Sequence, residues 1–286
     1  MHPVLFKIFA FPVHSYGVML AISFLLGIWL STSRAKKQGL KSEVIADVGF
    51  WVIISAILGA RLYFVFLHPE EFKGHWLDVI NPFQGGQIGI GGLVMLGGFI
   101  GAIVAAFLYF KIRKIPFLPY ADAIAPSVGF GIFITRIGCF LNGCCYGAGA
   151  TGACSVSFPI VSPAGSFQHQ IHATGLYPSQ LFESAGGLVI ALFILWLGRF
   201  KPFTGLQFFL TGMLYTILRF MVDFSRHYEP SERLFNLSHN QIDCIVLFII
   251  FGGLILKQVL SGETAQAPVP AAGTPGNDAD KKSTGK

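Results

Sequence analysis

Long runs of apolar residues alternate along the chain with short stretches rich in Lys, Arg, Gly or Pro. Runs near 20 residues match the hydrocarbon core of a bilayer, whereas strands and buried helices of soluble domains are shorter. The pattern predicts seven helices, at 16–30, 44–67, 89–110, 121–141, 177–197, 205–224 and 242–260. The second is long enough to tilt. The fourth is rich in glycine and broken by Pro126, which suits close helix packing more than lipid exposure. Only helices fit apolar blocks of this length in hydrocarbon, so the expected fold class is an all-α integral membrane protein. Residues 1–260 form the expected seven-helix domain. The Pro-, Ala-, Gly- and Lys-rich stretch 261–286 reads as a disordered tail.

Composition narrows the function classes. Of 286 residues, 53% are hydrophobic and only 12% charged, against roughly 25% charged in soluble domains. Too few polar side chains remain to cover a water-soluble globule of this size, which excludes a soluble enzyme and a disordered or fibrous protein. The formal net charge of +6 does not point to nucleic acid, because the basic residues cluster at the ends of apolar blocks.

That clustering predicts an orientation. Thirteen Lys and Arg residues fall on one side of the seven spans, including Arg34, Lys36, Lys37, Lys41, Lys111, Arg113 and Lys114; four fall on the other. The positive-inside rule then puts the N-terminus outside and the C-terminus in the cytoplasm. The first span is not a cleaved signal peptide, since its basic cluster follows the apolar run instead of preceding it.

Arg61, Arg136 and Arg219 lie inside the spans. A guanidinium at mid-membrane costs at least about 2.5–3.5 kcal/mol, so each is either half of a structural ion pair or a functional group. All three lie about 15 residues from the predicted starts of helices running in the same direction, roughly 22 Å along the axis. They therefore share a level in the outer half of the membrane. Guanidinium groups at one level repel unless an anion sits among them, and a lipid phosphate matches the Arg fork bidentately. Tyr215, Arg219 and Asp223 share one helix face, with Arg226 just beyond. Gln180 and Glu183 share another, and His14 and Tyr16 stand at the outer entry of the first helix. Asp223 is expected to pair with Arg219 or Arg226, and Glu183 with an Arg on another helix. Asp122 reads as a helix-terminus charge.

Glycines crowd the entry to the third helix, among them Gly97, Gly98 and Gly101. They form either a close-packed seam or a place where backbone amides meet an anion. Residues 142–176 carry no Lys, Arg, Asp or Glu but hold Cys144, Cys145, Cys154, His169 and His172. No C-x-x-C occurs and adjacent cysteines rarely chelate together, so no metal and no organic cofactor is indicated. A disulfide involving Cys154 is the better expectation in an oxidising compartment.

The stretch Arg136-Ile-Gly-Cys-Phe-Leu-Asn-Gly-Cys-Cys-Tyr-Gly147 resembles the signature of the bacterial phosphatidylglycerol–prolipoprotein diacylglyceryl transferases. Further matches follow in the family's order: His14-Ser-Tyr16-Gly17, Gly59-Ala-Arg61, Gly97-Gly98-Phe-Ile-Gly101, Tyr177-Pro-Ser-Gln-Leu-Phe-Glu183 and the run from Tyr215 to Arg226. The resemblance spans residues 3 to 260 and is specific as a set. It implies seven helices with the N-terminus outside, and a multi-pass enzyme of the bacterial cytoplasmic (inner) membrane whose active site lies toward the outer leaflet. It implies transfer of a diacylglyceryl group from phosphatidylglycerol to the lipobox cysteine thiol of prolipoproteins, giving a thioether and glycerol 1-phosphate. Substrate-binding positions are Arg136, Asn142 and Gly143, which the resemblance carries over, together with Arg61, Gly97 and Gly98 from the arginine and glycine patterns. Catalytic positions are Arg219, Tyr16, Glu183 and Asp223. The sequence departs from the family where the proposed base, a His, is replaced by Leu96, where the signature's first Asn is Cys139, and where its acidic residue is Cys144. Leucine cannot take a proton, so the task passes to His14, Glu183 or Asp223, or the arginine field acidifies the substrate thiol. The competing reading is a lipid-binding or transporter-like paralogue that holds phosphatidylglycerol without turnover. No inverted repeat or paired broken helices favour transport.

Overall fold

The computed structural model describes residues 3–8, 11–72, 83–84, 87–88, 94–152, 154–200, 203–228, 233–234 and 236–261. Its long helices are α1 (Ser15–Lys37), α2 (Glu43–Leu67), α3 (Met95–Arg113), α4 (Phe117–Asn142), α6 (Ser179–Leu197), α7 (Leu206–Asp223) and α8 (His239–Leu260), with the short α5 (Pro163–Gln170) between α4 and α6. Among the described residues, all of these except α5 and α7 are long and apolar enough to cross a membrane. α7 is helical where the sequence predicts it, but Gln207, Arg219 and Asp223 lower its apolar character. Large apolar side chains cover the helix exteriors: Leu25, Leu62, Phe66, Ile112 and Val189 are each at least 61% exposed. Such a surface suits lipid and not water.

The all-α expectation misses four two-stranded antiparallel ribbons, which pair β1 (Val4–Ile8) with β2 (Phe11–His14), β3 (Phe83–Gln84) with β4 (Gln87–Ile88), β5 (Gly149–Ala150) with β6 (Gly175–Leu176), and β7 (Arg233–Leu234) with β8 (Leu237–Ser238). Most are too short to give an alternating pattern in sequence. The third helix begins at Met95, after Val94 in extended conformation; residues 89–93 and the glycines among them lie outside the described set.

The chain divides into two compact units, residues 41–117 and the remainder. In the smaller, α2 and α3 pack antiparallel along a seam of small residues. A Cβ added to Gly59 would collide with the Gly97 carbonyl oxygen, and one added to Gly101 with that of Ser55. Lipid offers little hydrophobic drive between helices, so close backbone approach supplies the dispersion that holds them. Gly97 and Gly98 belong to this seam, against Gly59, Tyr63, Ala56 and Ala60.

The larger unit is built around α4. Its neighbour α1 runs antiparallel to it, meeting it through Met19 at Gly138, Ser23 at the Gly131 carbonyl and Ser31 at Ser127, whose hydroxyls lie 2.8 Å apart. On another face Gly129 lies against Gly187 and Ala191 of α6; a Cβ there would sit 2.7 Å from the Gly187 oxygen. α7 packs on α6 through Leu218 over Gly186, and α8 on α7 through Phe251 over Gly212. Ala125, Ile190 and Ile194 form the apolar core, joined by Leu210, Leu214 and Leu218.

Pro126 does not break α4, which stays helical from Phe117 to Asn142. Proline lacks the N–H that would bond the Asp122 carbonyl four residues back. Arg34 of α1 supplies replacement donors, Nη2 to the Asp122 oxygen at 3.4 Å and Nε to the Ala123 oxygen at 3.2 Å. Its Nη2 also donates to Gln207 Oε1 at 2.7 Å. Asp122 is a helix-terminus charge as expected, but for α7 and not for its own helix. Its carboxylate accepts from the backbone N–H of Gly205 at 2.5 Å and Phe208 at 2.9 Å. Three helices are thus tied at one end by polar groups that hydrocarbon would otherwise leave unsatisfied. Asp122→Ala strips both amides of their acceptor and should cost about 1–3 kcal/mol. Thermal unfolding in detergent checks this: the midpoint falls, and an unchanged midpoint contradicts the capping role.

Candidate active site

At the opposite end of α4, the bundle holds its buried charges. Arg136 sits two turns before the end of α4 and Glu183 in the second turn of α6, and their side chains meet with Nη2 2.8 Å from Oε1. The antiparallel register of the two helices, fixed by Gly129 on Gly187 and by the Ser184 hydroxyl donating to the Phe133 carbonyl at 2.8 Å, brings them level. Glu183 is almost wholly buried, and its Oε1 also accepts from the Tyr215 hydroxyl of α7 at 3.2 Å. One carboxylate therefore ties three helices. A buried charge left alone is expensive, which is why the pair exists at this depth.

A second pair lies on α7, where Arg219 Nη1 is 2.8 Å from Asp223 Oδ1. The contact is ionic without hydrogen-bond alignment, since Nη1 is buried and makes no hydrogen bond. Asp223 instead accepts from the Tyr228 hydroxyl at 2.6 Å and from the Ser238 hydroxyl. Ser238 is the N-cap of α8, in a reciprocal capping box with Gln241. Asn240 Nδ2 completes the network by donating to the Tyr228 oxygen at 2.9 Å. Glu183 acts electrostatically on both Arg136 and Arg219, and so does the Tyr215 side chain.

The turn after α4 forms the third wall. Gly143 takes φ +74°, and a Cβ there would stand 2.8 Å from that of Ser162. Cys145 also adopts a left-handed conformation, φ +59°. Gln180, fully buried on α6, donates from Nε2 to the Cys144 carbonyl at 2.8 Å. The Gly147 amide bonds the Tyr177 carbonyl, locking the 177–183 motif to the signature turn. These contacts bring the sulfurs of Cys139, Cys144 and Cys145 within 4.8 Å of one another, with Arg136 Nη1 4.0 Å from Cys139 Sγ. Hydrogen bonds from the Cys139 and Cys144 thiols, with the charges of Arg136 and Arg226, lower the Cys145 thiol from its ordinary range despite burial. Tyr16, in the first turn of α1, faces the same place: it is coupled electrostatically to all three cysteines and to Arg136. Its Cα would be 3.4 Å from a Cβ on Gly138.

The structure thus gathers Tyr16, Arg136, Asn142, Gly143, Glu183, Arg219 and Asp223 at one end of the larger unit. Each of the two guanidiniums is matched to a carboxylate, as expected for Glu183 and Asp223. Arg61, Gly97 and Gly98 belong to the smaller unit, where Arg61 is buried with its guanidinium over the rings of Phe64 and Phe72, 5.6 and 5.2 Å from their centroids. His14 is the exposed N-cap of α1. The expected disulfide is not formed: Cys154 is an exposed free thiol, and the other four cysteines, buried or half-buried, are free as well. Sequence reasoning missed the sulfur cluster, Tyr228 and Ser238. An arginine in mid-helix was a visible signal, whereas a left-handed turn at Cys145 has none.

A family model described as prolipoprotein diacylglyceryl transferase matches residues 3–257. The phosphatidylglycerol–prolipoprotein diacylglyceryl transferase of Clostridium tetani is 32% identical over 259 residues, covering 91% of this chain and 98% of that protein. The enzyme of that name from Campylobacter curvus is 34% identical over 264 residues, covering 88% and 92%. Transferase 1 of Clostridium perfringens is 35% identical over 195 residues, covering 68% and 71%.

Removing one partner of a buried pair leaves the other charge stranded, at about 3–5 kcal/mol. Glu183→Ala should therefore destabilise strongly, and Glu183→Ala combined with Arg136→Met should recover part of the loss. Unfolding in detergent provides the cycle; additive losses would contradict the pair.

Proposed function

The chain belongs to the prolipoprotein diacylglyceryl transferase family, and from that premise we propose that it transfers a diacylglyceryl group from phosphatidylglycerol to the lipobox cysteine thiol of prolipoproteins. The products are a thioether-linked lipoprotein precursor and glycerol 1-phosphate. The observation that carries this reading is the arginine site itself. Arg136 and Arg219 stand a few side chains apart with Tyr215 and Glu183 between them, on the residues that match the family's signature and sixth helix.

The reaction makes two demands. Negative charge must be held on the departing phosphate, and preorganised guanidiniums in a dry site do this without reorganisation. Arg136 spends Nη2 on Glu183 and keeps donors for a phosphate oxygen; Arg219 Nη1 makes no hydrogen bond. Glu183 and Asp223 hold these arginines in register. Tyr16, Asn142 and Gly143 border the same place and suit contacts to the head group. Arg61, Gly97 and Gly98, in the smaller unit, are proposed as lipid-binding positions on the family match alone.

The thiol must also lose a proton, since the thiolate is the nucleophile. Leu96 replaces the family's His. Glu183 Oε1 already accepts from Arg136 and Tyr215, and Asp223 accepts from Tyr228 and Ser238 beside Arg219, so protonating either carboxylate would weaken its hold on an arginine. The departure at Leu96 keeps one second reading in view, a paralogue that binds phosphatidylglycerol without turnover.

The proposed setting is the bacterial cytoplasmic membrane, crossed seven times by α1, α2, α3, α4, α6, α7 and α8. The N-terminus is outside, the C-terminus and the tail from 261 in the cytoplasm, and the site lies toward the outer leaflet. The basic residues after α1, α3 and α6 support this orientation. A reporter enzyme that works only outside the cytoplasm, fused after Lys286, should be inactive; an active fusion would reverse the topology.

Purified protein in phosphatidylglycerol micelles should add the mass of one diacylglyceryl group to a synthetic lipobox peptide. Arg136→Ala should lower the rate at least about 10²-fold, and Arg136→Lys should not restore it, because an ammonium lacks the bidentate fork. Lipid retained by the protein without any peptide mass gain would favour the second reading.

A further inference from the structure

Three free thiols meet beside Arg136, and the transfer described above gives them no task. Cys139 lies buried on the last turn of α4. Cys144 and Cys145 follow the left-handed turn at Gly143, and a second left-handed residue, Cys145 itself, lets two adjacent side chains reach one point. All three sulfurs lie within 4.8 Å of one another. Left-handed backbone at a non-glycine residue is disfavoured and is kept where the surroundings demand it. Packing alone does not demand sulfur at three positions, because an S–H is a weak donor and a small apolar residue would fill the space equally well. Gln180, fully buried on α6, fixes the turn from behind by donating to the Cys144 carbonyl.

We propose that Cys139, Cys144 and Cys145 form a three-thiolate site for a thiophilic divalent cation of the zinc class, whose fourth position is open to the thiol of the incoming lipobox cysteine. The fourth ligand rests on the transferase reading above; the three protein ligands do not. Zinc–sulfur bonds of about 2.3 Å set tetrahedral sulfurs about 3.8 Å apart, so the cluster needs only a modest contraction. Three thiolates and one divalent cation leave a net charge of −1, or −2 with the lipobox thiolate bound, beside the Arg136 guanidinium that Glu183 already pairs. Three protein ligands and one open position is the arrangement of a catalytic site, whereas a structural site closes all four.

The chemistry answers the absence of a base at Leu96. A thiol that coordinates the cation is deprotonated outright, its proton leaving with the displaced water. The bound sulfur then attacks the glyceryl carbon of phosphatidylglycerol. One S–C bond forms as the C–O bond to phosphate breaks, and that electron pair ends on the phosphate oxygen facing the arginines. No atom changes oxidation state in a way that needs a further reagent.

Cobalt(II) is the probe, added to full-length protein in detergent after chelator treatment. A thiolate-to-cobalt charge-transfer band should appear at one cobalt per chain and disappear when zinc is added. Cys139→Ser, Cys144→Ser and Cys145→Ser should each weaken binding at least tenfold, while Cys154→Ser should not change it. A lipobox peptide should shift the cobalt spectrum, and the same peptide with its cysteine alkylated should not. Reloading chelator-stripped wild-type protein with zinc should restore peptide transfer, a comparison that needs no variant to fold. Transfer at full rate by protein that takes up no cobalt would overturn the metal site and leave the transferase standing. A cysteine-dependent cobalt band without any peptide mass gain would sink the transferase reading and its fourth ligand, leaving the three-thiolate site.

Discussion

The ion pair between Arg136 and Glu183 is the constraint on which the larger unit depends. A guanidinium buried among apolar helices needs a carboxylate, and the carboxylate needs a defined helix register to reach it. Small residues provide that register. Gly129 against Gly187 and Gly138 against the first turn of α1 let α4 approach both neighbours closely. The pair in turn draws α7 in through Tyr215. The charge that makes the site useful is thus the charge that specifies how the helices sit.

The two ends of α4 solve the same physical problem differently. Near its start, Pro126 leaves a carbonyl without its helical donor, and Arg34 with Asp122 rebuilds the missing hydrogen bonds into a lock among α1, α4 and α7. Near its end, the polar groups remain only partly spent: Arg219 Nη1 and Gln180 Oε1 are buried without hydrogen bonds.

Much of this was legible in the sequence because hydrocarbon imposes a coarse rule. Apolar runs of the right length announced each long helix, and a charge inside such a run announced its need for a partner. Glu183 and Asp223 do pair with arginines, one between helices and one along α7. What stayed hidden depends on backbone geometry that no residue spacing encodes. Asp122 caps a helix more than eighty positions away, Arg34 supplies donors to the carbonyls that Pro126 leaves short, and Cys144 and Cys145 converge through a turn that is left-handed twice. The glycines around Gly97 left two readings open; the α2–α3 seam accounts for Gly97, Gly98 and Gly101.

Arg136 and Arg219, held by their carboxylates, are proposed as a lipid-phosphate site inside the bundle. The most direct measurement is lipid retention by native mass spectrometry of detergent-purified protein, offered phosphatidylglycerol and phosphatidylcholine of identical chains. The expected result is a preference for phosphatidylglycerol that Arg219→Gln abolishes while the helices remain folded by circular dichroism. An unchanged preference in that folded variant would contradict it.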